Sequence, residues 1–280
     1  MMHLVMILIA LLVAWGIRCQ SFQDSGDWSQ RWQQALGLFM FPPVLLLTTA
    51  IAVLAMGPQG QMVYWWEGWL SYGLVSGFLV VALVLLLGLS WQAWRSIKQV
   101  RTYTQIEVKG KPSRLLKSMY PFVAQIGFWK PELVVSQGLL QLLTNDHLEA
   151  VLIHEQAHFH YRDTFWFFGL GWLRRLTCWL PQTEALWQEL LVLRELRADR
   201  WAAEQVDSLL LAEALLTVVS TPTVQPELAA AFGDLALRDR LTERIDALLT
   251  EAPSTNSTDG WAWTWLLLSL LPLAMIPFHS

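Results

Sequence analysis

The sequence predicts a mainly α-helical integral-membrane chain, with four transmembrane helices and one cytoplasmic domain, holding a small β element, inserted between the third and fourth. Three observations predict it. The 280 residues are 54% apolar and only 15% charged, where soluble domains carry about 25% charged residues. The 17 tryptophans gather at the ends of apolar stretches, where an indole can be half in lipid and half hydrogen-bonded to water. The basic residues concentrate on one side of the third stretch.

The first apolar stretch runs from Met1 to Ile17 and stops at Arg18. Its start, Met1-Met2-His3, has no Lys or Arg, and no small-residue cleavage site follows, so an uncleaved membrane helix is expected rather than a signal peptide. The second covers Leu36 to Met56 and contains Pro42-Pro43, a pair that a membrane bundle tolerates. The third, Gly68 to Trp94, is free of charge and exceeds the roughly 20 residues that a span requires. Trp65, Trp66 and Trp69 mark one of its ends, and Trp91 and Trp94 the other. The fourth, Trp261 to Phe278, again opens on tryptophans.

After Trp94 come Arg95, Lys98, Arg101, Lys109, Lys111, Arg114 and Lys117, with Glu107 as the one acid. The positive-inside rule makes this side cytoplasmic and places both termini outside. The expected organisation is three transmembrane helices over 1–94, a cytoplasmic domain over 95–260 and a last transmembrane helix over 261–280. In the domain, Leu133-Val134-Val135 reads as a strand after Pro131. Thr144 would cap a helix from Asn145 to Tyr161, and a second would follow Pro181, with Thr183 at its start, and run to Val206. Two more are expected over Ser208–Val219 and Pro226–Leu249, before a polar linker, Ala252–Gly260. The segment Phe165 to Pro181 is apolar but contains Arg174-Arg175, which a crossing helix would rarely tolerate. It is expected at the membrane surface or against the bundle. Cys19 and Cys178 have no partner spacing and read as free thiols. A net charge of −4 excludes an extended nucleic-acid surface.

The chemistry is signalled by His154-Glu155-Gln156-Ala157-His158. On a helix, residues four apart share a face, one turn apart. Both imidazoles can therefore reach one tetrahedral Zn2+, while Glu155 points aside toward a water on that metal, where it can act as the base. The motif arises by chance in on the order of one such chain in 200, and its mechanism needs the helical context that is present here. His147 and His160 do not share the face as well. A catalytic zinc site takes a third protein ligand. Glu195 and Asp199 are again four apart on the helix after Pro181. One could bind the metal while the other holds a ligand histidine by its second ring nitrogen; Glu184 and Glu189 are rivals. Glu195 is preferred: it is the longer side chain, and Ala202 and Ala203 beyond Asp199 would allow close helix approach. Asp163 is expected to tie down the end of the first helix or to support a ligand.

These residues carry a resemblance. The runs Ile126–Ser136, Leu143–Leu148 and His154–Asp163, with Trp179-Leu-Pro181, Leu193–Arg200 and, more weakly, Arg240–Leu249, resemble the BlaR/MecR antirepressor family of membrane zinc metallopeptidases of the gluzincin type. The resemblance implies a zincin-like cytoplasmic domain and a bacterial inner-membrane location. It also implies Glu195 as third ligand with Asp199 as its structural partner, and a DNA-binding repressor as protein substrate, with self-cleavage on activation. The best-known members continue into an extracellular penicillin-binding sensor. This sequence stops at Ser280 and has no Ser-x-x-Lys motif, so β-lactam sensing is not expected. Two other functions compete: a quality-control protease similar to the HtpX group, and a non-enzymatic membrane scaffold or receptor retaining zinc. The latter would not need Glu155.

Overall fold

The computed structural model describes residues 2–20, 27–58, 65–220, 234–250 and 266–278. By its contacts the chain forms two compact units. One comprises Met1–Ser90, Gly169–Leu191 and Thr255–Ser280; the other comprises Trp91–Phe168 and Val192–Ser254.

The first unit is helical. Helix α1 spans Met2–Arg18, α2 Trp28–Met56 and α3 Trp65–Val100, the last extending beyond the unit. Asp27 caps α2, its carboxylate accepting from the Trp28 amide. This cap explains why α2 starts well before the apolar run at Leu36. Ala10 and Ala14, one turn apart on α1, are buried against Phe41, Leu45, Leu46 and Leu180. Ala50 and Val53 of α2 pack on Val75 of α3. Among the described residues, two helices, α2 and α3, are long and apolar enough to cross a membrane. Helix α1 has 17 residues, roughly 25 Å at 1.5 Å per residue, and falls short of the usual span.

The expected fourth span differs from a continuous helix where it is described. Residues 261–265 lie outside the described residues. Residues 266–268 are helical, a turn follows at 269–270, and then come the short helix Leu271–Ala274 and a 3-10 turn Ile276–Phe278. Pro272 and Pro277 supply no amide hydrogen to an α-helical ladder. Helix α6, Asp163–Leu176, accounts for most of the ambiguous apolar segment. Residues 169–191 pack with the helices of the first unit: Trp172 Nε1 donates to the Ala82 carbonyl at 2.8 Å, and Leu180 is buried with α1 and α2. Arg18 is buried there too. It donates to Thr183 Oγ1 at 2.9 Å and to the Phe39 carbonyl at 3.0 Å, with its guanidinium against the Phe39 ring. Cys19 and Cys178 are free and exposed.

The second unit holds a four-stranded sheet, ordered β1-β2-β4-β3, made of β1 Thr104–Val108, β2 Lys111–Leu116, β3 Val123–Ile126 and β4 Glu132–Ser136. β2 and β4 run parallel; the outer pairs are antiparallel. Sequence reading found only β4. The β1–β2 hairpin turns on Lys109 and Gly110, both at positive φ, the conformation a two-residue hairpin needs. Pro112 argues against a strand, but it pairs only with Glu107; pairing of β2 to β4 begins at Ser113. Ser136 ends β4 and joins three segments. Its hydroxyl accepts from the Phe122 amide before β3 and from the Leu139 amide of α4, Gln137–Leu142. Gly138 sits against the backbone of Met119: an added Cβ would lie 2.0 Å from that carbonyl oxygen.

Helix α5, Asn145–His160, starts at Thr144, whose hydroxyl accepts from the His147 amide. Leu148, Val151 and Leu152 pack on Val108, Leu133 and Val135 of the sheet. Ala150 packs with Ala202 of α7 (Thr183–Ala203), Leu211 of α8 (Ser208–Val219) and Leu248 of α9 (Asp234–Leu249). Helix α5 is thus the central element of this unit, held by the sheet on one face and by helices on another. Residues 226–233 of the expected Pro226–Leu249 helix lie outside the described residues.

Candidate metal centre

The central position of α5 fixes three side chains one turn or less apart. His154 and Glu155 are buried, and His158 is partly so. The two rings meet edge to face, with their Nε2 atoms 3.2 Å apart. From α7, Glu195 brings Oε2 to 3.3 Å from His154 Nε2 and Oε1 to 3.7 Å from His158 Nε2. One ligand atom from each of His154, His158 and Glu195 falls within 4.8 Å of the others. Small Ala150 and Ala202, both fully buried in one cluster, allow α5 and α7 to approach this closely.

The far nitrogens are held by carboxylates. His154 Nδ1 lies 2.8 Å from Asp199 Oδ1, a close charge contact in which the ring N–H is not well aligned. His158 Nδ1 lies 2.7 Å from Asp163 Oδ2. With a proton on each Nδ1, both Nε2 lone pairs are free to converge on a cation. Asp163 reaches His158 because the chain reverses at Arg162, a non-glycine residue at φ +54°. Arg197, stacked on the Tyr161 ring at 4.2 Å, also donates to Asp163.

Arginines complete the charge balance. Arg244 of α9 donates from Nε at 2.7 Å and from a terminal nitrogen at 2.8 Å to the two oxygens of Asp199, and lies 3.5 Å from Glu195. Arg194 donates to Glu195 Oε1 at 2.6 and 3.0 Å. Burial alone would lower the His154 pKa, but contacts with Asp199 and Glu195 outweigh it and raise the value to about 9. Burial raises the Glu155 carboxyl pKa, against the opposing pull of the two histidines. Burial would also raise those of Glu195 and Asp199. For Glu195 the His154 contact and the arginines bring the pKa well below the ordinary carboxylate range; for Asp199, Arg244 leads the lowering.

The donor set suits zinc: two imidazole nitrogens and one carboxylate oxygen converge, and each histidine is backed by a carboxylate. Among the sequence candidates, His154, Glu155, His158, Glu195, Asp199 and Asp163 come together. Glu184 and Glu189 do not; they pair with Arg174 and Arg31 in the first unit. Sequence reasoning missed Arg244, Arg194 and Arg197. Arg244 lay inside the weakest of the resembling runs, and its role depends on the packing of α9.

The profile of peptidase family M48 matches residues 107–192. No curated protein and no solved structure matches the chain. The matched stretch runs from β1 into α7. It includes His154, Glu155 and His158 and ends three positions before Glu195. It points to a protease of a generally zinc-dependent family.

Proposed function

We propose that the chain is a membrane-anchored zinc metalloendopeptidase. The observation that carries this reading is the convergence of His154, His158 and Glu195 beside the buried Glu155. In this reading the three converging residues hold zinc through Nε2, Nε2 and a carboxylate oxygen. When bound, zinc supplies Lewis acidity, which makes a water easier to deprotonate and a peptide carbonyl easier to attack. Glu155 takes the proton from that water and returns it to the leaving amine. Burial raises the pKa of Glu155, which makes it a better proton acceptor than an exposed carboxylate. Asp199 and Asp163 orient the two imidazoles, and Arg244 with Arg194 keeps Asp199 and Glu195 ionised side by side.

The membrane reading is supported by α3. Its apolar surface is largely uncovered, with Leu74, Val80, Val81, Leu83, Val84 and Leu87 each more than half exposed, a surface that water would not tolerate at this extent. The basic excess after Trp94 supports a cytoplasmic catalytic domain and a multi-pass protein of the bacterial inner membrane.

Within this activity, the substrate reading is signalling proteolysis of a cytoplasmic, DNA-binding repressor, with self-cleavage possible in the same site. It rests on the BlaR/MecR resemblance. Quality-control proteolysis of the HtpX kind is the second reading, and the M48 match serves both equally. Comparing cleavage products in cells carrying the wild-type protein and Glu155→Gln separates them. A single small repressor cut only in the wild type supports signalling. Many cut membrane proteins support quality control. Identical peptide sets overturn the peptidase assignment itself.

A further inference from the structure

We propose that the face of α3 just beyond its apolar run is a binding site for the anionic headgroup of a phospholipid. The inference rests on α3 being a membrane helix.

Trp91, Trp94, Arg95, Lys98, Gln99 and Thr102 line a shallow concavity of about 440 Å³. Trp91 and Trp94 stack with ring centroids 4.9 Å apart. Arg95 lies over the Trp91 ring at 5.1 Å and Lys98 over the Trp94 ring at 5.3 Å. Both tryptophans are about half exposed, so the pairs form an open surface and not a core.

The neighbouring cations are engaged elsewhere. Arg101 and Arg114 share Glu132, Lys109 pairs with Glu149, and Lys111 donates to Gln156. Among the described residues, Arg95 and Lys98 form no salt bridge; their contacts are the two indoles. Each indole holds a cation in place by its negative face without neutralising it. Two fixed, uncompensated cations beside a concavity make an anion site, and the Gln99 amide adds a neutral donor. The position selects the occupant. Trp91 directly follows the apolar run from Gly68, so the concavity sits at headgroup depth, and tryptophan itself prefers that depth. An anionic leaflet contributes on the order of 1 kcal/mol per nearby basic residue. Two such residues correspond to an enrichment of roughly 30-fold at most over a zwitterionic lipid.

The test uses the full-length, detergent-solubilised protein and native mass spectrometry with added phosphatidylglycerol or phosphatidylcholine. We expect at least about fivefold preferential retention of phosphatidylglycerol, from the electrostatic contribution above. The preference should vanish in Arg95→Gln/Lys98→Gln. It should persist in Lys117→Gln/Lys130→Gln, which removes the same charge elsewhere, and in the presence of inorganic phosphate. Equal retention of the two lipids, a preference that survives in the first pair, or an equal loss in the second pair overturns the site. Displacement by phosphate overturns the lipid as occupant. Release of the chain from membranes by carbonate washing breaks the membrane reading itself, independently of lipid selectivity.

Discussion

Each unit of the molecule encloses an arginine, Arg18 buried in one and Arg244 partly buried in the other, and the two are used in opposite ways. Arg18 in the first unit gives its hydrogen bonds to neutral oxygens, those of Thr183 and the Phe39 carbonyl. Arg244 in the second gives its bonds to Asp199 and faces Glu195. A buried cation on neutral acceptors fastens segments together, and no titratable partner depends on it. A partly buried cation beside two carboxylates favours their ionised forms, and through them biases the state of His154. The same residue type is therefore a clasp in one unit and an electrostatic control in the other.

This contrast can be broken or sharpened by substitution. The largest effect belongs to Glu155→Gln. Cleavage of a protein substrate should fall by on the order of 10²–10⁴-fold, while zinc content by metal analysis stays near that of wild type. Cleavage at the wild-type rate would remove Glu155 as the base. Next is Glu195→Ala, which deletes a ligand and a compensating charge. Zinc should be lost on dialysis and activity with it. Asp199→Ala should weaken zinc binding by roughly 10–100-fold only. The reverse ranking would exchange their roles.

Arg244→Gln should leave the zinc ligands in place but strip Asp199 of its guanidinium partner, leaving Arg194 as the cation on Glu195. Activity should fall by roughly 10–100-fold, as for other groups behind the ligands, and Arg244→Lys should restore part of it. If Arg244→Gln merely lowers the melting temperature and leaves the pH–rate profile unmoved, it is a clasp like Arg18. The pH dependence follows from His154. Its raised pKa stabilises the metal-free fold fully below pH 6.5, and that contribution disappears as the pH rises through about 9. Zinc must displace the same proton. Apparent affinity, measured by chelator competition, should therefore rise by about tenfold per pH unit between pH 7 and 8; a flat profile would mean that His154 is neutral before zinc arrives. The smallest effect on chemistry is expected from Arg18→Gln. It should lower unfolding stability by roughly 1–3 kcal/mol, the cost of orphaned buried partners, with zinc content and activity per folded molecule unchanged.

The parts of the site legible in the sequence are those set by local geometry. His154 and His158, and Glu195 and Asp199, are each one helical turn apart, so spacing alone predicts a shared face. Arg244 was not legible because its role depends on where α9 packs, and periodicity carries no such information. In the fold, the long apolar helices stood out by composition. Strands β1 and β3 did not, since four or five residues give too little alternation to read, and the Pro112 in β2 counted against a strand that the one-sided pairing in fact permits. Of the last apolar stretch, residues 261–265 lie outside the described ones; the rest reads as a helical end, a turn, the short helix Leu271–Ala274 and a 3-10 turn, with Pro272 and Pro277 among them.

The reversed turn at Arg162 has a consequence for anyone who would move this centre to another scaffold. Asp163 faces His158 only because the chain folds back at a residue with φ +54°, a conformation that costs a non-glycine side chain on the order of 1 kcal/mol. A graft of α5 alone would carry both imidazoles and the base but leave His158 free to rotate. The run from His154 through Asp163, turn included, has to move as one piece together with Glu195 and Asp199. Within it, Arg162→Gly is the substitution that should make the graft easier to fold without changing what it holds.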